Sequence, residues 1–89
     1  MKKFAIVTGA SKGLGRAFSL ELGSRGINTI LVSLPGEDIH VLNDEIIQKF
    51  GTTSVYFEVD LSDYDNVISF TKTINEQYSV FLLINNAGI

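Results

Sequence analysis

Four short apolar runs punctuate the chain, and between them the apolar positions change to a helical rhythm. Lys3 to Thr8, Asn28 to Ser33, Thr53 to Val59 and Val80 to Ile84 are rich in branched residues and bounded by turn-forming residues. Such runs predict buried strands. Leu14, Ala17, Phe18 and Leu22 fall at helical intervals and predict a first helix, stopped by Gly26. Ile39, Leu42, Ile46 and Phe50 predict a second, stopped by Gly51, and Pro35-Gly36 marks the turn before it. Val67, Thr71, Ile74 and Tyr78 predict the inner stripe of a third. Ser62-Asp63-Tyr64-Asp65 ahead of it resembles a capping box, in which a hydroxyl and an acid satisfy free N–H groups at a helix start.

The order is therefore β-α-β-α-β-α-β. Strands joined through helices run parallel, with right-handed crossovers, and their continuous apolarity fits a sheet covered on both faces. The fold class expected is α/β: a doubly wound parallel sheet of four strands in the order 3-2-1-4, with three helices. There is no repeat, no low-complexity tract and no internal domain boundary.

Composition narrows the functional classes. An apolar content of 45% supports a packed core and opposes disorder. A net charge of −3 without a Lys/Arg block disfavours nucleic acid and anionic membranes as partners. With no cysteine and one histidine, neither a disulfide framework nor an ordinary zinc site is available, and no metal ligand is assigned. The opening MKKFAIV begins like a secretion signal, but its apolar run breaks at Thr8-Gly9, and no run reaches the length of a membrane span. A cytoplasmic location is expected.

Candidate chemistry starts at TGASKGLG, between the first strand and the first helix. The free N–H groups and dipole of a helix N-terminus can hold a pyrophosphate. Gly9 would permit the tight turn, Gly13 would clear the phosphate approach and Gly15 would let the helix pack on the sheet. The spacing G-x-x-x-G-x-G is neither the common G-x-G-x-x-G nor a P-loop. Taken alone, a plain turn is the lesser but open alternative. Two further segments bear on it. Asn85-Asn86-Ala87-Gly88 ends the fourth strand and Asp60-Leu61 ends the third. In the order 3-2-1-4, strand four lies beside strand one where the order reverses, and ligands bind outside the C-terminal strand ends there.

TGASKGLG, Asp60-Leu61 and NNAG, in this order and spacing, resemble the short-chain dehydrogenase/reductase family across the whole chain. The resemblance implies a Rossmann fold that binds NAD(H) or NADP(H). By position, Gly9, Gly13, Leu14 and Gly15 would surround the pyrophosphate. Asp60 would accept a hydrogen bond from the adenine amine, with Leu61 near the ring. Asn86, Ala87 and Gly88 would line the adenine-ribose side. ELGSRG and VLNDEIIQKFG loosely resemble the hydroxysteroid and long-chain 3-oxoacyl reductase branch. The bland alternative for Asp60 is a cap for the third helix.

Cofactor choice turns on the end of the second strand, where an acid would bond the ribose 2′-OH and select NAD. Ser33 and Leu34 stand there. Glu37 and Asp38 follow the Pro-Gly turn and would reach the site only if that loop folded back. Lys12, with the hydroxyls of Ser11 and Ser33 as candidate partners, resembles the basic residue that NADP-using relatives place in the glycine loop. The expectation is NADP(H) over NAD(H), the alternative being that Lys12 is a solvated loop lysine.

The family's catalytic Tyr-x-x-x-Lys pair is missing from the sequence: Tyr56, Tyr64 and Tyr78 are followed four residues on by Asp60, Ile68 and Leu82. No catalytic residue is assigned. His40 reads as a surface histidine, and Tyr56, Phe57 and Tyr78 read as packing. Residues 1–89 are expected to be the cofactor-binding portion of a dinucleotide-binding domain, truncated after strand four, in an oxidoreductase for carbonyls and alcohols. This portion alone would be inactive and would self-associate through the exposed edge at residues 80–84. A non-catalytic nucleotide-binding or interaction module is the alternative.

Overall fold

A computed structural model describes residues 2–86. Its elements follow the order β1 (Lys3–Thr8), α1 (Gly13–Ser24), β2 (Asn28–Ser33), α2 (Ile39–Phe50), β3 (Ser54–Glu58), α3 (Tyr64–Gln77), β4 (Ser79–Asn85). The sheet order is β3-β2-β1-β4 and every pairing is parallel. The expected topology is thus the observed one. β3 is shorter than the run Thr53 to Val59, yet the flanking residues continue the ladder. Thr29 N donates to the Thr53 carbonyl at 3.0 Å, and Val59 N donates to the Ser33 carbonyl at 2.8 Å.

The two faces of the sheet carry separate cores. On one, Ala5, Val7 and Leu31 meet Leu22 of α1 and Ile39, Leu42 and Ile46 of α2. On the other, Phe4, Ile6, Ile30 and Val32 meet Ile74, with Phe57, Phe70 and Tyr78 packed around them. The aromatic rings pack edge-on, Phe4 with Tyr78 at 5.2 Å and Phe57 with Phe70 at 5.3 Å between centroids. Tyr78 and Phe57 are packing groups, as expected. Tyr56 lies on the exposed side of β3 and His40 is also exposed.

Three local expectations are corrected. The buried face of α1 is Gly15, Ser19, Leu22 and Gly23, whereas Leu14, Ala17 and Phe18 face outward. Small residues win that face because the helix lies close to its neighbours: a Cβ on Gly23 would stand 2.7 Å from Phe50 Cδ2. On α3, Phe70 joins the core and Thr71 is exposed. The α3 cap is Asp63, whose carboxylate accepts from Asp65 N at 2.9 Å and Asn66 N at 3.3 Å. Ser62 stands one residue ahead of the cap position, and its hydroxyl donates to Asp60 at 2.6 Å.

β4 forms one edge of the sheet. Its register against β1 shifts between Phe4 and Ala5, which pair with Val80 and Leu82. Val80, Phe81, Leu82 and Leu83 are all exposed among the described residues.

Candidate functional site

The C-terminal ends of all four strands open on one crevice of about 810 Å³. Gly9, Ser11 and Lys12 line it from the loop after β1; Ser33, Leu34 and Glu37 from the loop after β2. Asp60, Leu61 and Ser62 come from the loop after β3, and Asn85 and Asn86 from the end of β4. Val32 and Val59 add apolar wall beside Leu61. Segments about seventy residues apart in sequence are therefore neighbours in space, as the strand order requires.

The glycine loop is shaped by backbone constraints. Gly9 and Gly13 hold φ of +61° and +59°, a region that side chains with a Cβ disfavour. Gly15 needs its missing side chain for closeness: a Cβ there would lie 1.9 Å from the Gly9 carbonyl oxygen. Ser19 Oγ donates to the Gly15 carbonyl at 2.7 Å, so this small buried hydroxyl is satisfied within the helix. The N-cap of α1 is Lys12, whose side chain makes no capping hydrogen bond. The first-turn donors thus take no bond from their cap residue's side chain at the mouth of the crevice.

The loop is tied to both neighbouring strands. Ala10 N donates to the Val32 carbonyl at 3.0 Å. Thr8 Oγ1 donates to Asn85 Oδ1 at 2.8 Å and accepts from Asn86 N at 2.9 Å. Asn86 Nδ2 reaches the Gly9 carbonyl at 3.5 Å. Asn86 and the buried Thr8 therefore lock the end of β4 to the turn after β1. Ala87 and Gly88 lie outside the described residues.

Asp60 lines the crevice, and its carboxylate is already engaged. Oδ1 accepts from Ser62 N at 3.0 Å and from Ser62 Oγ at 2.6 Å. Those bonds hold its carboxyl below the ordinary aspartate value, so it is an ionised acceptor near neutral pH. The Asp60 carbonyl also takes a bond from Asn66 Nδ2 at 3.2 Å. Asp60 thus closes the turn ahead of α3 and does not cap the helix. Ser33 is buried at the end of β2 and donates to the Leu34 carbonyl at 3.0 Å. Leu14 sits on α1 with 63% of its surface exposed.

The largest departure concerns Glu37, because the loop after Pro35-Gly36 does fold back. Glu37 Oε1 accepts from Ser11 Oγ at 2.5 Å, and Oε2 stands 3.5 Å from Lys12 Nζ. The Ser11 hydroxyl does most of the work that lowers the Glu37 carboxyl below its ordinary value; the Lys12 charge adds to it, and partial desolvation opposes both. Lys12 is therefore an ion-paired residue, although its side chain is 80% exposed. The turn geometry that delivers Glu37 rests on Asp38, which adopts the left-handed conformation at φ 55°. The only sequence signal for this was the acid two residues beyond Pro35.

A family profile described as short chain dehydrogenase matches residues 3–89. The chain belongs to the short-chain dehydrogenase family. It is 38% identical over 89 residues to the 3-oxoacyl-[acyl-carrier-protein] reductase FabG of Buchnera aphidicola, covering 99% of this chain and 35% of that protein. It is 35% identical over 91 residues to a very-long-chain 3-oxoacyl-CoA reductase of Aspergillus oryzae, covering 96% of this chain and 25% of that one. A metagenomic short-chain oxidoreductase solved in complex with NADP superposes with a TM-score of 0.85 at 33% identity, over 98% of this chain and 39% of that one. The chain thus spans about a quarter to two fifths of the length of these proteins. Among the described residues, no group of acids and histidine could hold a metal ion and no helix is long and apolar enough to cross a membrane.

Proposed function

We propose that this chain seats NADP(H), in preference to NAD(H), for an oxidoreductase that interconverts a carbonyl and an alcohol. The carrying observation is the joining of the uncapped α1 N-terminus, the Gly9-to-Gly15 approach and the Asn86 lock in one crevice. A pyrophosphate fits there for two reasons. The first-turn donors and the helix dipole favour negative charge, and nothing lies within 4 Å of the Cβ position of Gly13. In this reading Gly9, Gly13, Leu14 and Gly15 surround the pyrophosphate. Ser11, Lys12 and Ser33 face the 2′ position of the adenosine ribose. Asp60 accepts from the adenine amine, beside the apolar wall of Leu61, while Asn86, Ala87 and Gly88 line the adenine-ribose side.

When bound, the nicotinamide supplies or takes up the hydride. What the chain itself contributes is binding and orientation. None of its tyrosines carries a lysine four residues on, so the proton donor that carbonyl reduction needs is sought beyond residue 89. The NADP-bound neighbour supports the cofactor class, and the 3-oxoacyl reductases support a carbonyl-alcohol reaction. Residues 1–89 make one partial dinucleotide-binding domain in this reading, and the 89-residue polypeptide pairs with itself along β4.

Calorimetry with NADPH and NADH, together with a ketone-reduction assay, tests the proposal. The 89-residue polypeptide is expected to bind NADPH and to give no turnover. Absence of dinucleotide binding would overturn the seat, and real turnover would overturn its separation from the catalytic groups. The non-catalytic alternative keeps the same seat. The coding sequence past Ile89 separates the two, because an in-frame Tyr-x-x-x-Lys supports the enzyme.

A further inference from the structure

Resting on the reading that the crevice seats a dinucleotide, we infer that Glu37 is a selectivity residue whose carboxylate holds the Ser11–Lys12 seat against a 2′-phosphate. The seat has the two donors that an anion needs, a hydroxyl and an ammonium, and the carboxylate gives one oxygen to each. A 2′-phosphate on the adenosine ribose must recruit the same two groups.

The position of Glu37 is built from both sides. On one, Gly36 N donates to Glu58 Oε2 at 3.1 Å, tying the turn to the end of β3. On the other, Asp38 turns the chain at φ 55° into α2, whose first residue, Ile39, is fully buried. Between these anchors the Glu37 side chain is only 24% exposed and borders the crevice.

Charge decides what this does. Lys12 is the only cation among the described residues that line the crevice, which also holds two acids, Glu37 and Asp60, and its ion pair is with Glu37. Arg16, one turn further along α1, is committed to Glu45 at 3.1 Å. One ammonium cannot neutralise a carboxylate and a phosphate together, so a 2′-phosphate binds only by displacing Glu37 or against its charge. An unphosphorylated ribose meets the opposite situation. Its hydroxyl can donate to the carboxylate, which is acceptor-only when ionised. Glu37 therefore opposes NADP(H), serves NAD(H), and narrows the preference that Lys12 would set alone.

The test is Glu37→Gln in the full-length protein, with Glu37→Ala as a second variant. Calorimetric titration with NADPH, NADH, 2′,5′-ADP and 5′-AMP reads the 2′-phosphate contribution directly. Either substitution is expected to tighten NADPH and 2′,5′-ADP about tenfold, the effect of removing one like charge at close range. NADH and 5′-AMP should stay unchanged or weaken. The gain should shrink in a Lys12→Ala background and at high salt. Unchanged or weaker NADPH binding by folded variants, with wild-type binding intact, overturns the role of Glu37 alone. Failure of the wild type to bind any of the four ligands overturns the dinucleotide reading and this inference with it.

Discussion

A Cβ on Gly15 would approach Asn86 Nδ2 to 3.0 Å as well as striking the Gly9 carbonyl oxygen at 1.9 Å. The second contact is with backbone, so no rotamer change relieves it. Alanine would give the helix about 1 kcal/mol of intrinsic propensity, but overpacking against a fixed group costs about 1–3 kcal/mol and this clash lies at the severe end. Gly15→Ala is expected to lower unfolding free energy in urea by about 2 kcal/mol and to weaken dinucleotide binding, because the turn at Gly9 must move. Gly13 differs in kind. Its side-chain position is open, so Gly13→Ala meets only the left-handed backbone cost of roughly 1–2 kcal/mol. These constraints explain why the glycine loop and Asn86 were legible in the sequence: close backbone approach leaves small residues as its mark. Glu37 was not legible in the same way. Its contact with Ser11 depends on the course of the chain through Pro35, Gly36 and Asp38; aspartate tolerates the left-handed conformation that Asp38 adopts, but it serves in many other turns and caps, so its type does not fix that course.

Among the helices, α3 depends most on its start, since Ile74 is its one buried residue. Asp63 satisfies two first-turn N–H groups there. Asp63→Ala is expected to cost about 1 kcal/mol, with Asp63→Asn recovering most of it in urea unfolding followed by circular dichroism. The same substitutions should leave the Asp60–Ser62 turn in place, because Asp60 draws its bonds from Ser62 and Asn66. The strands and the β-α alternation could be read from the sequence because continuous apolar runs and helical spacing are different signals. The buried faces were harder. On α1 the apolar positions Leu14 and Phe18 suggested the inner stripe, but close packing selected Gly15, Ser19 and Gly23. A count of apolar residues finds a helix, while the choice of its inner face is set by how near the sheet and α2 lie.

At the scale of the molecule the two sheet edges are not equivalent, and this decides which of them is the stronger template for association. β3 has five residues, includes Glu58, and leaves Tyr56 as its large exposed apolar group. β4 has seven, and Phe81 and Leu83 are 54% and 60% exposed on a strand that also exposes Val80 and Leu82. A longer, uncharged apolar edge with unpaired backbone groups is the stronger template for another strand. The 89-residue polypeptide is therefore expected to self-associate through β4 at micromolar concentration, with a sedimentation coefficient that rises with loading. Leu83→Lys places a charge in the middle of that edge and should return a monomer. Tyr56→Lys, on β3, should leave association unchanged. A concentration-independent monomer for the wild-type polypeptide would remove the β4 contact, and loss of association on Tyr56→Lys alone would move it to the opposite edge. The crevice lies at the C-terminal ends of the strands, whereas a partner added to β4 would pair along its side. Association through that edge is thus expected to leave NADPH affinity in the crevice unchanged, which titration of the wild type and Leu83→Lys side by side will measure.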